Sequence, residues 1–332
     1  MSLTKNKIEH LKKLSNSQNI ISALAIDQRG SLKKMIAMES NSPANETEIV
    51  HFKESISKEL TPYASAILLD PEYGLPAAKI RDKDAGLLLA YEKTGYDATE
   101  PGRLPDLLEH WSAQLLKEEG ADAVKFLLYY DPDESKDIND RKHAFVERVG
   151  AECMAVDLPF FLELVSYDGT LDSVKDESYA KVKPHKVIET TKEFSDPKYH
   201  VDVLKVEIPV NMKYVEGYTA GDISPVYSKE EAAKYFKEQS DSTNLPFIFL
   251  SAGVTNELFI EELQFAKDSG SKFNGVLCGR ATWKPGVKEY AGKSPEEGSK
   301  WLRTEGKNNI EKLNKVLSET ATPWTEKVID FV

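Results

Sequence analysis

The chain contains only two cysteines, Cys153 and Cys278, and they lie far apart. Such a pair forms neither a disulfide framework nor a metal-binding spacing, so a reducing cytoplasm is the expected location. Long apolar runs are also missing, because none approaches the ~20 residues that a membrane helix requires. The first ten residues carry charge and no apolar secretion core, so neither a membrane protein nor an exported one is expected.

Basic residues are fewer than acidic ones. Lysine and arginine number 43 against 55 acidic residues, which gives a net charge of −12 and disfavours nonspecific binding to nucleic acid. An anionic substrate would therefore need a local positive site. The 40% hydrophobic and 30% charged content is typical of a globular protein.

Two familiar signatures are absent. No Gly-x-Gly-x-x-Gly turn follows the first apolar run, which argues against a doubly wound dinucleotide-binding sheet. The six histidines lie in helical or connecting segments, and only His200 borders a strand, at its N-terminal end. A catalytic zinc in a barrel would need ligands at the opposite ends of the strands, so zinc is not expected.

The pattern that is present alternates apolar strands with amphipathic helices along the whole chain. Eight strands are predicted, at 20–26, 64–69, 86–91, 123–128, 160–165, 201–208, 246–251 and 274–279. Helices are predicted at 46–60, 106–119, 136–156, 178–194, 228–240 and 256–269, with a long closing helix at 295–318. Between the second and third strands the helical pattern is least clear, because residues 70–85 are rich in charge, proline and glycine. The spacing predicts a single (β/α)8 barrel domain over 1–332, with an N-terminal and a long C-terminal helix.

Three successive strands each carry a charged residue within their apolar run: Lys125, Glu163 and Lys205. Buried charge is costly unless it is paired or its pKa shifts, so three cases in successive strands suggest one chemical site. Lys205 is either a barrel-core lysine neutralised by a carboxylate or an amine nucleophile that forms a Schiff base. Under the second hypothesis Lys125 is the cation that lowers the pKa of Lys205. Glu163 is a general acid and base, a counter-ion, or both.

Polar residues also follow the strands, at the end where barrels carry their active sites. Asp27 can cap a helix beginning at Gly30, or orient Lys125 or a substrate hydroxyl. Ser251-Ala252-Gly253 and Gly279-Arg280 follow the last two strands, where barrels commonly bind phosphate. The strand-end carboxylates leave a Mg²⁺-dependent enzyme open as an alternative, with these candidate ligands: Asp27, Asp70, Glu72, Glu163 and Glu207.

Six segments together resemble one known family. They are Ala25-Ile-Asp-Gln-Arg-Gly30, Val124-Lys-Phe126, Leu162-Glu-Leu164, Leu204-Lys-Val-Glu-Ile-Pro209, Leu250-Ser-Ala-Gly-Val254 and Leu277-Cys-Gly-Arg-Ala-Thr-Trp283. Their order and spacing resemble the class I, metal-free tagatose 1,6-bisphosphate aldolases of the bacterial tagatose 6-phosphate pathway. The resemblance covers essentially the whole chain.

This resemblance implies a lyase that cleaves D-tagatose 1,6-bisphosphate reversibly to dihydroxyacetone phosphate and D-glyceraldehyde 3-phosphate, without a cofactor. It implies Lys205 as the Schiff-base lysine, with Glu163, Lys125 and Asp27 as its catalytic partners. One phosphate would bind at 251–253 and 279–280, and Arg29 would hold the other. Fructose or sulfonated ketose phosphates as substrates, and a sugar-phosphate-sensing regulator, stay open as alternatives. The aromatic C-terminal segment, with Trp324, either packs across a homodimer interface or covers its own barrel.

Overall fold

The computed structural model describes residues 2–93, 99–328 and 330–331. Eight parallel strands form a closed barrel in chain order, and the last of them pairs with the first. The barrel strands are β2 (Ile21–Ala25), β3 (Ala66–Leu69), β4 (Gly86–Ala90), β5 (Ala123–Tyr130), β6 (Phe160–Ser166), β7 (Val203–Val206), β8 (Phe247–Leu250) and β9 (Gly275–Cys278). Two short strands, β1 (Ser2–Leu3) and β10 (Asp330–Phe331), pair with each other outside the barrel. The predicted (β/α)8 barrel is confirmed.

Helices follow the strands around the outside. They are α1 (Lys5–Lys13), α2 (Gly30–Ser40), α3 (Glu46–Leu60), α4 (Leu75–Lys79), α5 (Ala113–Glu118), α6 (Lys136–Val156), α7 (Glu177–Glu193), α8 (Lys229–Asp241), α9 (Asn256–Asp268), α10 (Arg280–Trp283), α11 (Gly286–Gly292), α12 (Pro295–Trp301) and α13 (Lys307–Thr320). The segment 70–85, where the helical pattern of the sequence is least clear, contains the short helix α4. None of the helices in the described ranges is long and apolar enough to cross a membrane.

Two helix predictions need correction. The helix predicted at 106–119 begins only at α5, where the Ser112 hydroxyl accepts the Leu115 N–H, because the preceding chain bridges Glu92 with Leu107 in an antiparallel pair. The long closing helix consists of α12, a π-helical turn at Leu302–Gly306, and α13. Helix α8 begins with a capping box, in which the Ser228 hydroxyl accepts the Glu231 N–H and the Glu231 carboxylate accepts the Ser228 N–H.

The strands alternate strictly between two cores. Residues facing outward pack against the helices, and residues of the other parity fill the barrel with small and branched side chains. The inward residues include Ala25, Ala90, Ala123, Phe161 and Val203. The next inward position on each of those five strands is charged, so one layer of ionisable groups lies above a dry core.

The lower end of the barrel is closed by the two ends of the chain. Leu11 of α1 and Trp324 are at most 1% exposed and belong to the same apolar cluster as the inward strand residues. The Trp324 indole N–H donates to the Ser15 hydroxyl at 2.8 Å. Trp324 therefore covers its own barrel, which decides between the two roles that the sequence left open for it.

The barrel closes through one close backbone approach. Gly275, at the start of β9, has φ +137°, and a Cβ there would lie 1.9 Å from the carbonyl oxygen of Ile21 in β2. Only glycine fits at this point, since any side chain would push apart the two strands that complete the ring.

Candidate active site

A cavity of about 760 Å³ opens at the carboxyl end of the barrel. Every site residue predicted from the sequence lines it: Asp27, Arg29, Lys125, Glu163, Lys205, Ser251, Ala252, Gly253, Gly279 and Arg280. The carboxyl ends of the barrel strands meet at this mouth, which explains why residues so distant in sequence converge.

Glu163 lies between the two lysines. Its Oε1 is 2.8 Å from the Lys205 Nζ and its Oε2 is 2.7 Å from the Lys125 Nζ. Glu163 and Lys205 are directly paired in the register of β6 and β7. Since all three side chains are at most 10% exposed, the carboxylate and both amines face each other in a site that is almost closed to bulk water.

Lys125 contacts three carboxylates. Besides Glu163, its Nζ donates to Asp27 Oδ2 at 2.9 Å and to Glu92 Oε1 at 2.6 Å. Asp27 therefore serves Lys125, and the helix-cap alternative is wrong, because Arg29 is the N-cap of α2 and makes no side-chain cap bond. Three carboxylates around one ammonium group make Lys125 the most highly paired cation of the cavity.

Sequence reasoning missed Glu92. It is 4% exposed, follows β4 by two residues, and its Oε2 also accepts the Leu127 N–H at 3.2 Å. Glu92 directly follows the predicted strand at 86–91. The rule that found Asp27, a polar residue at the carboxyl end of a strand, would have found Glu92 as well.

Burial and neighbouring charges of opposite sign shift the pKa values of these groups in opposite directions. Burial raises the pKa of Glu163, but the Lys125 and Lys205 ammonium groups outweigh it and hold that pKa below its ordinary value. Burial likewise raises the pKa of Asp27, but Lys125 and Lys205 outweigh it and hold that pKa below its ordinary value. Burial lowers the pKa of Lys125, but Asp27, Glu163 and Glu92 outweigh it and raise the pKa well above its usual value. For Glu92 burial prevails, and its pKa is raised.

The remaining strand-end carboxylates point to other partners. Asp70 pairs with Lys53, and Glu72 lies 2.5 Å from the Arg29 guanidinium. Glu207 accepts from the Ser166 N–H at 2.7 Å and lies 3.8 Å from Lys183. The five candidate Mg²⁺ ligands thus do not converge. Within the described ranges, no group of three or more His, Cys, Asp or Glu side chains is arranged to hold a metal ion.

The two segments predicted to bind phosphate meet at one edge of the cavity. Ala252 and Gly253 have φ values of 47° and 81°, and the Val254 N–H donates to the Ser251 carbonyl at 3.0 Å, so the loop turns tightly after β8. The Arg280 Cζ would lie 3.1 Å from a Cβ at Gly253. No carboxylate among the described residues forms an ion pair with Arg280. Its guanidinium, next to exposed backbone N–H groups, suits a phosphate.

Arg29 lines the same mouth and follows β2, the strand that pairs with β9. It is 4% exposed, and its guanidinium donates to Glu72 and, at 2.7 Å, to the Glu92 carbonyl. Burial lowers the pKa of Arg29, but Glu92 and Glu72 raise it overall. Arg29 stands at the N-terminus of α2, whose Ser31 also lines the cavity. Positive charge and a helix N-terminus therefore lie together here.

The barrel and this cavity define a (β/α)8-barrel enzyme whose ionisable site is built on lysines. Residues 21–285 match the family model described as DeoC/LacD family aldolase. Over 328 residues, 99% of the chain, it is 63% identical to tagatose 1,6-diphosphate aldolase 2 of Enterococcus faecalis, of which it covers 98%. It is 57% identical to tagatose 1,6-diphosphate aldolase of Lactococcus lactis, again over 99% of this chain and over 100% of that protein. The chain belongs to the DeoC/LacD family of aldolases, and it is a lyase.

Solved structures share the fold at low sequence identity. Fructose-bisphosphate aldolase from Plasmodium falciparum superposes with a TM-score of 0.69 at 16% identity, over 97% of this chain and 98% of that one. An archaeal fructose-1,6-bisphosphate aldolase, whose catalytic lysine is bound to a carbinolamine intermediate, gives a TM-score of 0.55 at 14% identity, over 88% of this chain and 98% of that one. At these identities the likeness extends to the barrel alone.

Proposed function

We propose that this protein is a class I aldolase that cleaves D-tagatose 1,6-bisphosphate reversibly to dihydroxyacetone phosphate and D-glyceraldehyde 3-phosphate. The observation that carries the proposal is the buried row Lys205–Glu163–Lys125, in which one carboxylate contacts two amines at 2.8 and 2.7 Å. The names of the relatives that match nearly the full length supply the substrate.

Lys205 is the nucleophile. Its neutral amine attacks the C2 carbonyl, and the carbinolamine that forms loses its hydroxyl as water, which requires a proton. Glu163, in contact with Lys205 Nζ, accepts the ammonium proton before the attack and gives it to the C2 oxygen, then accepts a second proton from the carbinolamine nitrogen and gives it to the departing hydroxyl. No other carboxylate of the described residues forms an ion pair with Lys205.

The protonated imine then accepts the electrons of the breaking bond. The C4 hydroxyl gives its proton to Glu163, the C3–C4 bond breaks, and its electron pair moves through C3 to the imine nitrogen as an enamine. Glyceraldehyde 3-phosphate leaves as the aldehyde. Protonation of C3 and addition of water to the imine release dihydroxyacetone phosphate and restore Lys205, so protons and electrons balance.

Lys125 holds the carboxylates rather than tuning the nucleophile. Its charge is offset by Asp27, Glu92 and Glu163, so little of its field reaches Lys205 unopposed. Its raised pKa keeps it an ammonium group through the cycle. In that state it keeps Glu163 ionised at rest and ready to accept the first proton.

The two phosphates bind at two different positions on the mouth. The loop 251–253 with Arg280 holds the phosphate on C1, and Arg29 with the N-terminus of α2 holds the phosphate on C6. At about −1.5 to −2 charges each, these groups need local cations in a chain of net charge −12. We propose that the chain acts as one domain in the cytoplasm, without metal or cofactor, and that it can form a homodimer.

Reductive trapping tests the mechanism. With dihydroxyacetone phosphate and borohydride, about one ligand per chain should become fixed on Lys205, and peptide mapping locates it. Lys205→Ala should abolish both trapping and cleavage. Lys183→Ala is the matched control, because Lys183 also lines the cavity and is 8% exposed, and it should keep the trapped ligand. Full activity of Lys205→Ala would refute the proposal.

Turnover on a panel of substrates tests the specificity. A coupled triose phosphate assay with tagatose, fructose and sulfonated ketose phosphates ranks the substrates by kcat/KM, and the tagatose bisphosphate should be cleaved efficiently. Binding of the sugar phosphate without any turnover would instead indicate a regulator. Loss of activity in EDTA that Mg²⁺ restores would favour a metal-dependent reaction.

A further inference from the structure

A buried ion pair lies directly behind the active site. Lys53 of α3 and Asp70, the first residue after β3, are both 0% exposed and form a salt bridge. Neither lines the cavity. Replacing a buried ion pair with uncharged groups of similar size is often neutral or stabilising, so stability alone does not account for this pair.

The Lys53 ammonium holds the backbone on both sides of Asp27. Its Nζ donates to the Ile26 carbonyl at 2.6 Å and to the Gln28 carbonyl at 2.9 Å. β2 ends at Ala25, and after Ile26, whose N–H donates to the Leu68 carbonyl, the chain leaves the sheet. The Lys53 ammonium group thus supplies hydrogen bonds to the backbone where the strand-to-strand hydrogen bonds end. These bonds hold the residues on both sides of Asp27.

Asp70 fixes that ammonium group in turn. One carboxylate oxygen contacts Lys53 Nζ, and the other accepts the Tyr73 N–H at 2.8 Å. With both oxygens engaged and no solvent access, Asp70 cannot rotate away. Lys53 therefore has three fixed acceptors, two carbonyls and one carboxylate, which use all three donors of an ammonium group.

We propose that Lys53, held by Asp70, is a positioning residue that fixes the backbone of residues 26–28 and so aims Asp27 at Lys125. The inference rests on the proposed aldolase function. Asp27 Oδ2 lies 2.9 Å from Lys125 Nζ, and Lys125 in turn contacts Glu163. A shift of about 1 Å in such a chain of contacts can lower the rate by about a hundredfold. Lys53 touches neither substrate nor reacting atoms.

The test is a double-mutant cycle. Lys53→Met/Asp70→Asn removes both charges together, so no unpaired charge is left buried, and the asparagine side chain keeps an acceptor for the Tyr73 N–H. In the natural background we expect kcat to fall about 10- to 100-fold with KM little changed. In an Asp27→Ala background the same pair of changes should cost less than about twofold, because there is no carboxylate left to aim.

A matched pair at the other end of the barrel provides the control. Lys7 and Asp202 are buried and 2.7 Å apart, and the Asp202 carboxylate accepts the Phe160 N–H at 2.8 Å. Lys7→Met/Asp202→Asn should change the free energy of unfolding in urea by a similar amount and leave kcat within about twofold. Catalytic loss in both pairs alike would assign the effect of Lys53 to general destabilisation and overturn the inference.

Other outcomes are equally decisive. A kcat loss that is the same with and without Asp27 overturns the positioning role, and so does a Lys53→Met/Asp70→Asn enzyme with unchanged kcat. If that variant does not fold, Lys53→Leu/Asp70→Asn, which also leaves no unpaired charge buried, is measured in both backgrounds, with the same dependence on Asp27 expected. Failure of the natural enzyme to trap dihydroxyacetone phosphate on Lys205 would instead overturn the proposed function, so the two failures are distinguishable.

Discussion

Replacing Lys125 by methionine should move the pH dependence of cleavage. Lys125 is the strongest of the charges that lower the pKa of Glu163, while burial and Asp27 raise it. Without the ammonium group, three carboxylates face each other in a buried site, and protonation of Glu163 becomes favourable. Since Glu163 must be ionised to accept the first proton, the acid limb of kcat/KM should move to higher pH.

The size of this shift follows from the geometry. Unit charges 2.7 Å apart, as in Lys125 and Glu163, attract by about 6 kcal/mol at an effective dielectric constant of about 20. At about 1.4 kcal/mol per pKa unit this sets a ceiling of about four units. Lys205 remains 2.8 Å from the same carboxylate and still favours its ionised form, so the shift stays below that ceiling.

The measurement is a coupled triose phosphate assay from pH 5.5 to 8.5. The activity of Lys125→Met relative to the natural enzyme should rise about tenfold across that range. Lys183→Met, which removes another buried cavity lysine, should leave the limb in place. A uniform loss of kcat with an unmoved limb would refute the role assigned to Lys125.

The pH dependence of the free energy of unfolding provides an independent test. In the natural enzyme the lowered pKa of Glu163 means that its contribution is present above pH ~4.5 and is lost as the pH falls. In Lys125→Met the raised pKa of Glu163 reverses this, and the free energy of unfolding should decline as the pH rises from ~4.5 through that raised pKa. Urea unfolding at pH 5 and pH 8 distinguishes the two slopes.

Three further predictions concern other parts of the molecule. Arg280→Met should raise KM for the bisphosphate about 10- to 100-fold, as expected for a lost charged hydrogen bond, with kcat changed less; an unchanged KM in steady-state assays would argue against the phosphate site at 251–253. Burial lowers the pKa of Lys142 to about 8, so the folded state binds fewer protons than the unfolded state between pH 8 and 10.5 and stability should rise there by about 3 kcal/mol. Burial also lowers the pKa of Lys327 to about 8, which adds a rise of the same sign. Lys142→Met should therefore reduce the rise measured by urea unfolding at pH 7.5 and 10, and an unchanged rise would contradict this origin. Trp324→Ala should lower the free energy of unfolding by about 3–5 kcal/mol, measured in urea. A loss below about 1 kcal/mol would show that the packing of Trp324 against the lower end of the barrel contributes little.

The barrel and the charged row could be read from the sequence for one physical reason. Period-two alternation places Ala123 and Lys125, Phe161 and Glu163, on the same inward face, so a charge in an apolar strand necessarily points into the barrel. That argument needs only local sequence, and it gave the fold, the Lys205 site and the residues that line the cavity.

Groups whose meaning depends on distant partners could not be read in the same way. Lys53 lies in an amphipathic helix, where a lysine usually faces solvent, and only the fold brings it to Asp70 and the Ile26 carbonyl. The role of Asp27 stayed open because a strand-to-helix corner suits a cap as well as an ion pair. Glu92 directly follows the predicted end of its strand at Tyr91, so the rule for polar residues at strand ends applies to it as it does to Asp27.

The pairing of β1 with β10 brings the two ends of the chain side by side beneath the barrel. Ser2 pairs with Asp330, so a short linker could join the ends without disturbing any barrel strand. At present the ring is completed by Ile21 with Gly275, a contact between residues near opposite ends of the chain. A circularly permuted chain, reopened in a loop between two other strands, would make that pairing local and give the long sequence separation to a different pair of strands. Which strand pair is most distant in sequence is thus a property of where the chain is cut, separable from the architecture and the active site.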